Sequence, residues 1–446
     1  MSENPLFGDD FMPSTERPPG EPILTGPPFG CPTTLSGTAF DPSGTLPLYN
    51  VVVYVPSETL APIAQGAGCD TCNGNFSGRP VAAAVTDPAG NFTIQLDEVP
   101  RVAALPLVIQ VGKWRRQITV SNIAACSANS VANGEARLPR NRSEGNLPQI
   151  AITRGGSDAL DCLFRKIGVS DSEFVPAGGN GSVHLYASPH GSAEDFPEMA
   201  QFADGTPIPP PEQLFSNLDV MMTYDAVFLG CEGGGRGTFE DPPPAGHGYG
   251  PTEFTNVQTY ADRGGRVFGT HYHNYWVRPD KFDYALPPYP AVATFASEQH
   301  GFDALVAGEV NASFPKGAAL RDWLVNVGGS MAPGQVMIND GEHTVDAVIP
   351  SVSTAWITAD DPDGHADVVQ CFSFTTPVGQ AECGRMVFSD LHFTTGDADP
   401  GKKPFPVGCS SSELSPEDKA LTYMLFDLSS CVQPDTAPVV PPIIIR

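Results

Sequence analysis

Positive charge is scarce in this chain. Of 446 residues, 24 are Lys or Arg against 51 Asp or Glu, a formal net charge of −27. Nucleic acid and anionic lipid both require basic surface, so neither is an expected partner. Long apolar runs are missing as well, and nothing reaches the ~20 residues of a membrane-spanning helix. Met1 to Phe29 is polar and Pro-rich, without a basic stretch followed by an apolar one, so no signal peptide is visible. No two CxxC units frame a zinc site, and Cys69-Asp70-Thr71-Cys72 has no nearby His or Cys partner. Gly233-Gly234-Gly235 lacks the GxGxxG spacing and a following Lys that phosphate binding would require.

Glycine and proline are plentiful, 46 each, which predicts a loop-rich chain with much β-structure. With 41% apolar residues the chain can bury real cores, and its length allows two or three domains. Several of the ten cysteines pair at hairpin or loop spacing: Cys69/Cys72, Cys371/Cys383 and Cys409/Cys431. Disulfides in an oxidising compartment fit this better than metal, which predicts an extracellular or cell-envelope location.

Residues 1–30 read as an extended Pro-rich arm. From Cys31 to about residue 121, short alternating segments are separated by turns such as Asp87-Pro88-Ala89-Gly90, a pattern expected of an antiparallel β-sandwich. Residues 122–147 read as a linker. Over 148–432, strands alternate with helices, as in a largely parallel sheet with right-handed crossovers. The strands are Gln149–Thr153, Val183–Tyr186, Asp225–Gly230 and Arg266–Thr270. Ser157 is an expected N-cap for a helix carrying Leu160, Leu163, Phe164 and Ile167, stopped by Gly168. The pattern loosens over about 279–367, read as an irregular insertion. Asp367–Thr376 and Arg385–His392 predict a hairpin that Cys371 and Cys383 would clip. Ser415, Pro416, Glu417 and Asp418 open a final helix with Leu421, Met424, Leu425 and Leu428 on its buried face. Residues 433–446 form a Pro-rich tail.

Ser36-Gly37-Thr38-Ala39-Phe40-Asp41, Pro47 to Val53 and Thr86 to Thr93 resemble the carboxypeptidase regulatory-like domain. That resemblance implies a small transthyretin-like sandwich without catalytic residues. Tyr224 to Gly230, Gly264-Gly265-Arg266-Val267-Phe268-Gly269-Thr270-His271 and Gly384 to His392 resemble the class I glutamine-amidotransferase-like fold, nearest its trehalose-utilisation-type branch. This implies a flavodoxin-like α/β domain. The family places a nucleophilic Cys in a Gly-x-Cys-x-Gly elbow after the fourth strand, whereas here that position reads Gly269-Thr270-His271-Tyr272-His273. The layout also resembles uncharacterised secreted bacterial proteins.

In open α/β sheets, function gathers at the carboxyl ends of the strands. Cys231 and Glu232 end the third strand, His271 and His273 the fourth, and Asp390 and His392 the last. All six suit acid–base or nucleophilic work. His271, His273 and His392 suit metal ligation, because i, i+2 spacing on a strand places His271 and His273 on one face. The same period groups Asp390 with His392, either as a site or as a structural Asp–His pair. Asp360-Asp361-Pro362-Asp363-Gly364 has oxygen ligands suited to calcium, but without the full twelve-residue loop it reads as a turn. The residues identify no cofactor. Two functions stay open. One is a secreted or envelope-associated binding or structural protein with a degenerate amidotransferase-like domain, its terminal arms serving self-association or an envelope partner. The other is a hydrolase, metal-assisted or not, acting on a carbohydrate or peptide.

Overall fold

The computed structural model describes residues 19–70, 76–187, 197–231, 249–278, 291–302, 304–393, 403–409 and 413–437. Its N-terminal strands are β1 (Thr34–Thr38), β2 (Val52–Pro56), β3 (Pro80–Val85), β4 (Asn91–Gln95), β5 (Ala104–Val111), β6 (Trp114–Ser121) and β7 (Ala128–Ser130). They form two sheets, ordered β3-β2-β5-β6 and β4-β1-β7. Leu35, Phe92 and Ile94 of one sheet and Val53, Val55, Leu107 and Ile109 of the other are buried in one core. Alternation decides this: in β4 the apolar Phe92 and Ile94 face inward while Asn91, Thr93 and Gln95 face solvent. The stretch expected as a linker contributes β7, which pairs in parallel with β1.

The remaining strands are β8 (Ile150–Thr153), β9 (Phe174–Pro176), β10 (Val183–Tyr186), β11 (Ala226–Leu229), β12 (Arg266–Thr270), β13 (Ala293–Gly301), β14 (Val306–Val310), β15 (Gln335–Ile338), β16 (Glu342–Val348), β17 (Ser353–Ala359), β18 (Val368–Thr376) and β19 (Gly384–Ser389). Ten of them make one mixed sheet, ordered β15-β14-β17-β18-β19-β12-β11-β8-β10-β9. From β19 to β9 neighbouring strands run parallel, and from β15 to β19 they run antiparallel. The central parallel strands β8, β10, β11 and β12 are buried throughout, as strands covered on both faces must be. The segment expected as an irregular insertion supplies β13 to β17. Of these, β13 and β16 pair as a separate two-stranded ribbon.

The helices used below are α1 (Leu160–Lys166), α2 (Pro251–Asp262), α3 (Pro315–Asn326) and α4 (Pro416–Ser429). The capping expected for the final helix is present: Ser415 Oγ accepts from Asp418 N at 3.0 Å, and the Asp418 carboxylate accepts from Ser415 N at 3.0 Å. The capping expected for α1 is not. Its N-cap is Ala159, with no side-chain cap, and Ser157 lies upstream in the loop. Gly168 does stop α1, at φ +99°.

The cysteine pairing differs from the local one. The bonds are Cys31–Cys126, Cys69–Cys383 and Cys162–Cys409, and Cys431 is disulfide-bonded too. Cys72 lies outside the described residues. The β18–β19 hairpin forms as expected, but Cys371 faces Ser389 while Thr376 faces Gly384 at the turn. Cys383 is therefore six residues, roughly 20 Å, along the strand from Cys371, too far to bridge. No described helix is long and apolar enough to cross a membrane.

Candidate functional site

Four neighbouring strands of the sheet, β19, β12, β11 and β8, present their carboxyl ends side by side. The chain reverses direction across the sheet at β8, which has β10 on one side and β11 on the other. This is the switch point where open α/β sheets bind ligands. Cys231 follows β11, His271 follows β12, His392 follows β19 and Asp158 lies in the loop after β8.

Donor atoms of Cys231, His271 and His392 all lie within 4.8 Å of one another, and all three residues are buried. Cys231 Sγ is 3.5 Å from His271 Nδ1. The other ring nitrogen of His271 is 3.5 Å from Glu342 Oε2, and His392 Nε2 is 3.5 Å from Glu342 Oε1. The two imidazoles meet edge to face at 5.2 Å. Behind them His392 Nδ1 donates to Asp158 Oδ1 at 3.0 Å. Asp158 is fully buried and organises the strand ends: it accepts from Phe393 N (2.8 Å), Cys231 N (3.2 Å) and the Thr270 hydroxyl. Glu342, 14% exposed, is the wettest of these groups and marks the open side.

Burial pushes His271 down to about 4, so its ring is neutral at pH 7. Burial also opposes charge on His392, but the Asp158 carboxylate and the bond to Glu342 hold that imidazole well above its ordinary value. Burial disfavours ionised Asp158, yet the His392 charge and the hydrogen bonds from His392, Thr270 and Phe393 keep its carboxyl below the usual range. His271 has φ +36°, a left-handed conformation rare outside glycine, and Asn274 Nδ2 donates to its carbonyl at 2.8 Å.

Three of the sequence-derived candidates converge and two do not. His273 does not share a face with His271. The strand stops at Thr270, and His271–Trp276 winds into a 3-10 helix, which turns the two rings apart. His273 Nε2 bonds Gly230 O at 3.1 Å, while Tyr275 OH and Trp276 Nε1 approach its Nδ1 at 3.0 and 3.3 Å. It packs in this wall, outside the cluster of Cys231, His271 and His392. Asp390 parts from His392 because β19 ends at Ser389. Its Oδ2 accepts from Thr344 N at 3.0 Å and its carbonyl from Glu342 N at 3.1 Å, so it anchors β16. Burial raises its carboxyl well above the ordinary value. Glu232 lies outside the described residues. Sequence reading missed Asp158 and Glu342. Asp158 had one signal, its place after a first-strand Gly155-Gly156. Glu342 had none, since it arrives on a strand from the loosely patterned segment.

No family model and no curated protein matches the chain. Among solved structures it is similar to the cytoplasmic protein STM3548 from Salmonella typhimurium, with 12% identity, TM-score 0.33, and cover of 63% of this chain and 99% of that one. It is also similar to the cytoplasmic protein STM1381 from Salmonella typhimurium LT2, with 10% identity, TM-score 0.32, and cover of 64% and 99%. A third is the GH42 beta-galactosidase Gan42B, with 8% identity, TM-score 0.28, and cover of 64% and 31%. At such TM-scores these likenesses carry no argument about this chain.

Proposed function

We propose that this chain is a metal-dependent hydrolase, its ion held by Cys231, His271 and His392. The observation that carries this reading is the second histidine. A thiol nucleophile needs one imidazole, but here a second buried ring, locked by Asp158 through Nδ1, aims Nε2 at the same space. A carboxylate behind a histidine is the usual way a protein orients a metal ligand. One thiolate and two imidazoles suit a zinc-like ion and leave a position open. Such an ion supplies Lewis-acid polarisation of a substrate oxygen and an acidified water. Glu342, at the open side, takes the proton of the attacking water and returns it to the leaving group.

A second reading has one observation in its favour. Cys231 Sγ, His271 and Glu342 line up as nucleophile, base and orienting carboxylate, the logic of a thiol hydrolase. A non-catalytic binding protein is the third reading, and it leaves the convergence of five polar groups without a task.

Support for the fold names is topological. Taken in chain order, β8, β10, β11, β12 and β19 stand as 2-1-3-4-5, the flavodoxin-like order. The two N-terminal sheets with their shared core favour a transthyretin-like sandwich. The disulfides favour an extracellular or cell-envelope setting.

Cobalt(II) substitution tests the site. The expected result is a thiolate-to-cobalt charge-transfer band that C231S and H392A abolish, with chelator-sensitive hydrolysis in an ester, amide and glycoside panel. A full complement of bound metal with no thiolate band overturns the metal reading. Alkylation-sensitive, chelator-insensitive turnover selects the thiol reading, and no turnover at all selects the binding reading.

A further inference from the structure

The ribbon that delivers Glu342 carries a second constellation on its other face. In β16 successive side chains alternate, so His343 points away from the first centre. His343 stands directly opposite His300 of β13 in the antiparallel register. Their rings lie 5.3 Å apart. Between them sits one oxygen of Asp361, Oδ2, 2.9 Å from His300 Nε2 and 2.7 Å from His343 Nδ1. We propose that His300, His343 and Asp361 form a second site for a divalent transition-metal ion of the zinc class.

Four features favour a built site over a chance cluster. The donor atoms of the three residues lie within 4.8 Å of one another. Asp361 and His343 are almost wholly buried, at 1% and 3% side-chain exposure. The Asp361 carboxylate is held by its own turn: Asp363 N donates to Oδ1 at 2.9 Å, Gly364 N to the Asp361 carbonyl at 2.9 Å, and Asp361 N to His365 O at 2.8 Å. Asp346 Oδ1 lies 2.9 Å from His343 Nε2, the orienting carboxylate that a ligand imidazole takes behind it. The donors sit at hydrogen-bond distance and spread by about 0.5 Å to reach the separations that ~2.1 Å bonds impose. His300, 34% exposed, has room to do so.

The donor set also decides the ion. Two imidazoles and a single carboxylate suit zinc, nickel or copper rather than calcium, which takes six to eight oxygens. The acidic turn at residues 360–364 thus serves the site through Asp361 alone. Asp363, 76% exposed with Oδ2 3.6 Å from His300 Nε2, lies on the solvent side, where the fourth position opens. An ion there clamps β13 to β16 and steadies the strand that presents Glu342. The site stands independently of the metal reading of the first centre.

Zinc and cobalt titrations of the full chain test it. Wild type takes up one equivalent at micromolar metal that H300A and D361N each lose, while any thiolate–cobalt band persists in both. Zinc raises the melting temperature of C231S but raises that of C231S/H300A less. His300 is partly exposed, so H300A keeps the native circular dichroism, which separates site loss from misfolding. Unchanged stoichiometry in H300A and D361N overturns the proposal, as does metal uptake only at millimolar concentration. A wild type that binds one equivalent without a thiolate band, lost in H300A, supports this site while sinking the first.

Discussion

His271, His273 and His392 read alike in sequence but have different roles. His273 is satisfied from both ring nitrogens, by Gly230 O on one side and Tyr275 and Trp276 on the other. H273A is expected to cost about 3 kcal/mol, from a lost buried ring and a broken hydrogen bond, while leaving metal uptake at Cys231 intact. Urea unfolding beside cobalt absorption checks both halves. Asp158 is the converse case, never marked by a motif yet touching Cys231, Thr270, His392 and Phe393. D158N is expected to weaken metal binding at the first centre about 10–100-fold, measured by competition with a chelator. The residue types at the site were legible because they follow strands. Their partners were not, since Asp158 and His392 are 234 residues apart.

At the scale of elements, what is local was readable. Helix α4 begins where Ser415, Pro416 and Asp418 announce it, because a capping box is satisfied within four residues. Ser157 failed as a cap because tertiary bonds claimed its loop: Ser157 N donates to Cys231 O at 3.0 Å. Helix α4 also carries a pH-dependent element. Glu417 is buried beneath β15, where its Oε1 accepts from Asn339 N at 2.7 Å and Asp340 N at 3.2 Å. Burial raises its carboxyl from 4.5 to about 7. A raised folded-state value means the native chain binds the extra proton, so stability is fullest below 4.5 and falls as pH rises through 7. The loss is at most about 3 kcal/mol. E417Q is expected to flatten that decline between pH 5 and 8, followed by the urea midpoint across that range.

At the scale of the whole molecule, the N-terminal sheets are welded to the α/β part. Trp114 of β6 packs edge to face on Phe426 of α4 at 6.1 Å. Tyr49 stacks on Tyr423 at 6.0 Å, and Trp323 of α3 donates to Pro47 O at 2.7 Å. Lys113 pairs with Asp225 at the start of β11. The Cys69–Cys383 bond closes a separation of 314 residues between the two parts. Its removal as C69S/C383S is expected to cost about 2–5 kcal/mol. Calorimetry is expected to show one cooperative transition for the described core in wild type, since one apolar cluster spans both parts.

What the sequence determined by itself is whatever depends on short range. Strand alternation, turn glycines, the α4 cap and the succession of β and α elements are satisfied by neighbours in the chain, so a single sequence displays them. Tertiary structure alone decided the disulfide partners, the turning away of His273, and the entry of Asp158 and Glu342. Each depends on which strands lie side by side in the sheet, β8 beside β11 and Leu391 bridging to Gly341. That adjacency comes from burial of both sheet faces summed over the whole molecule, a quantity no local pattern encodes.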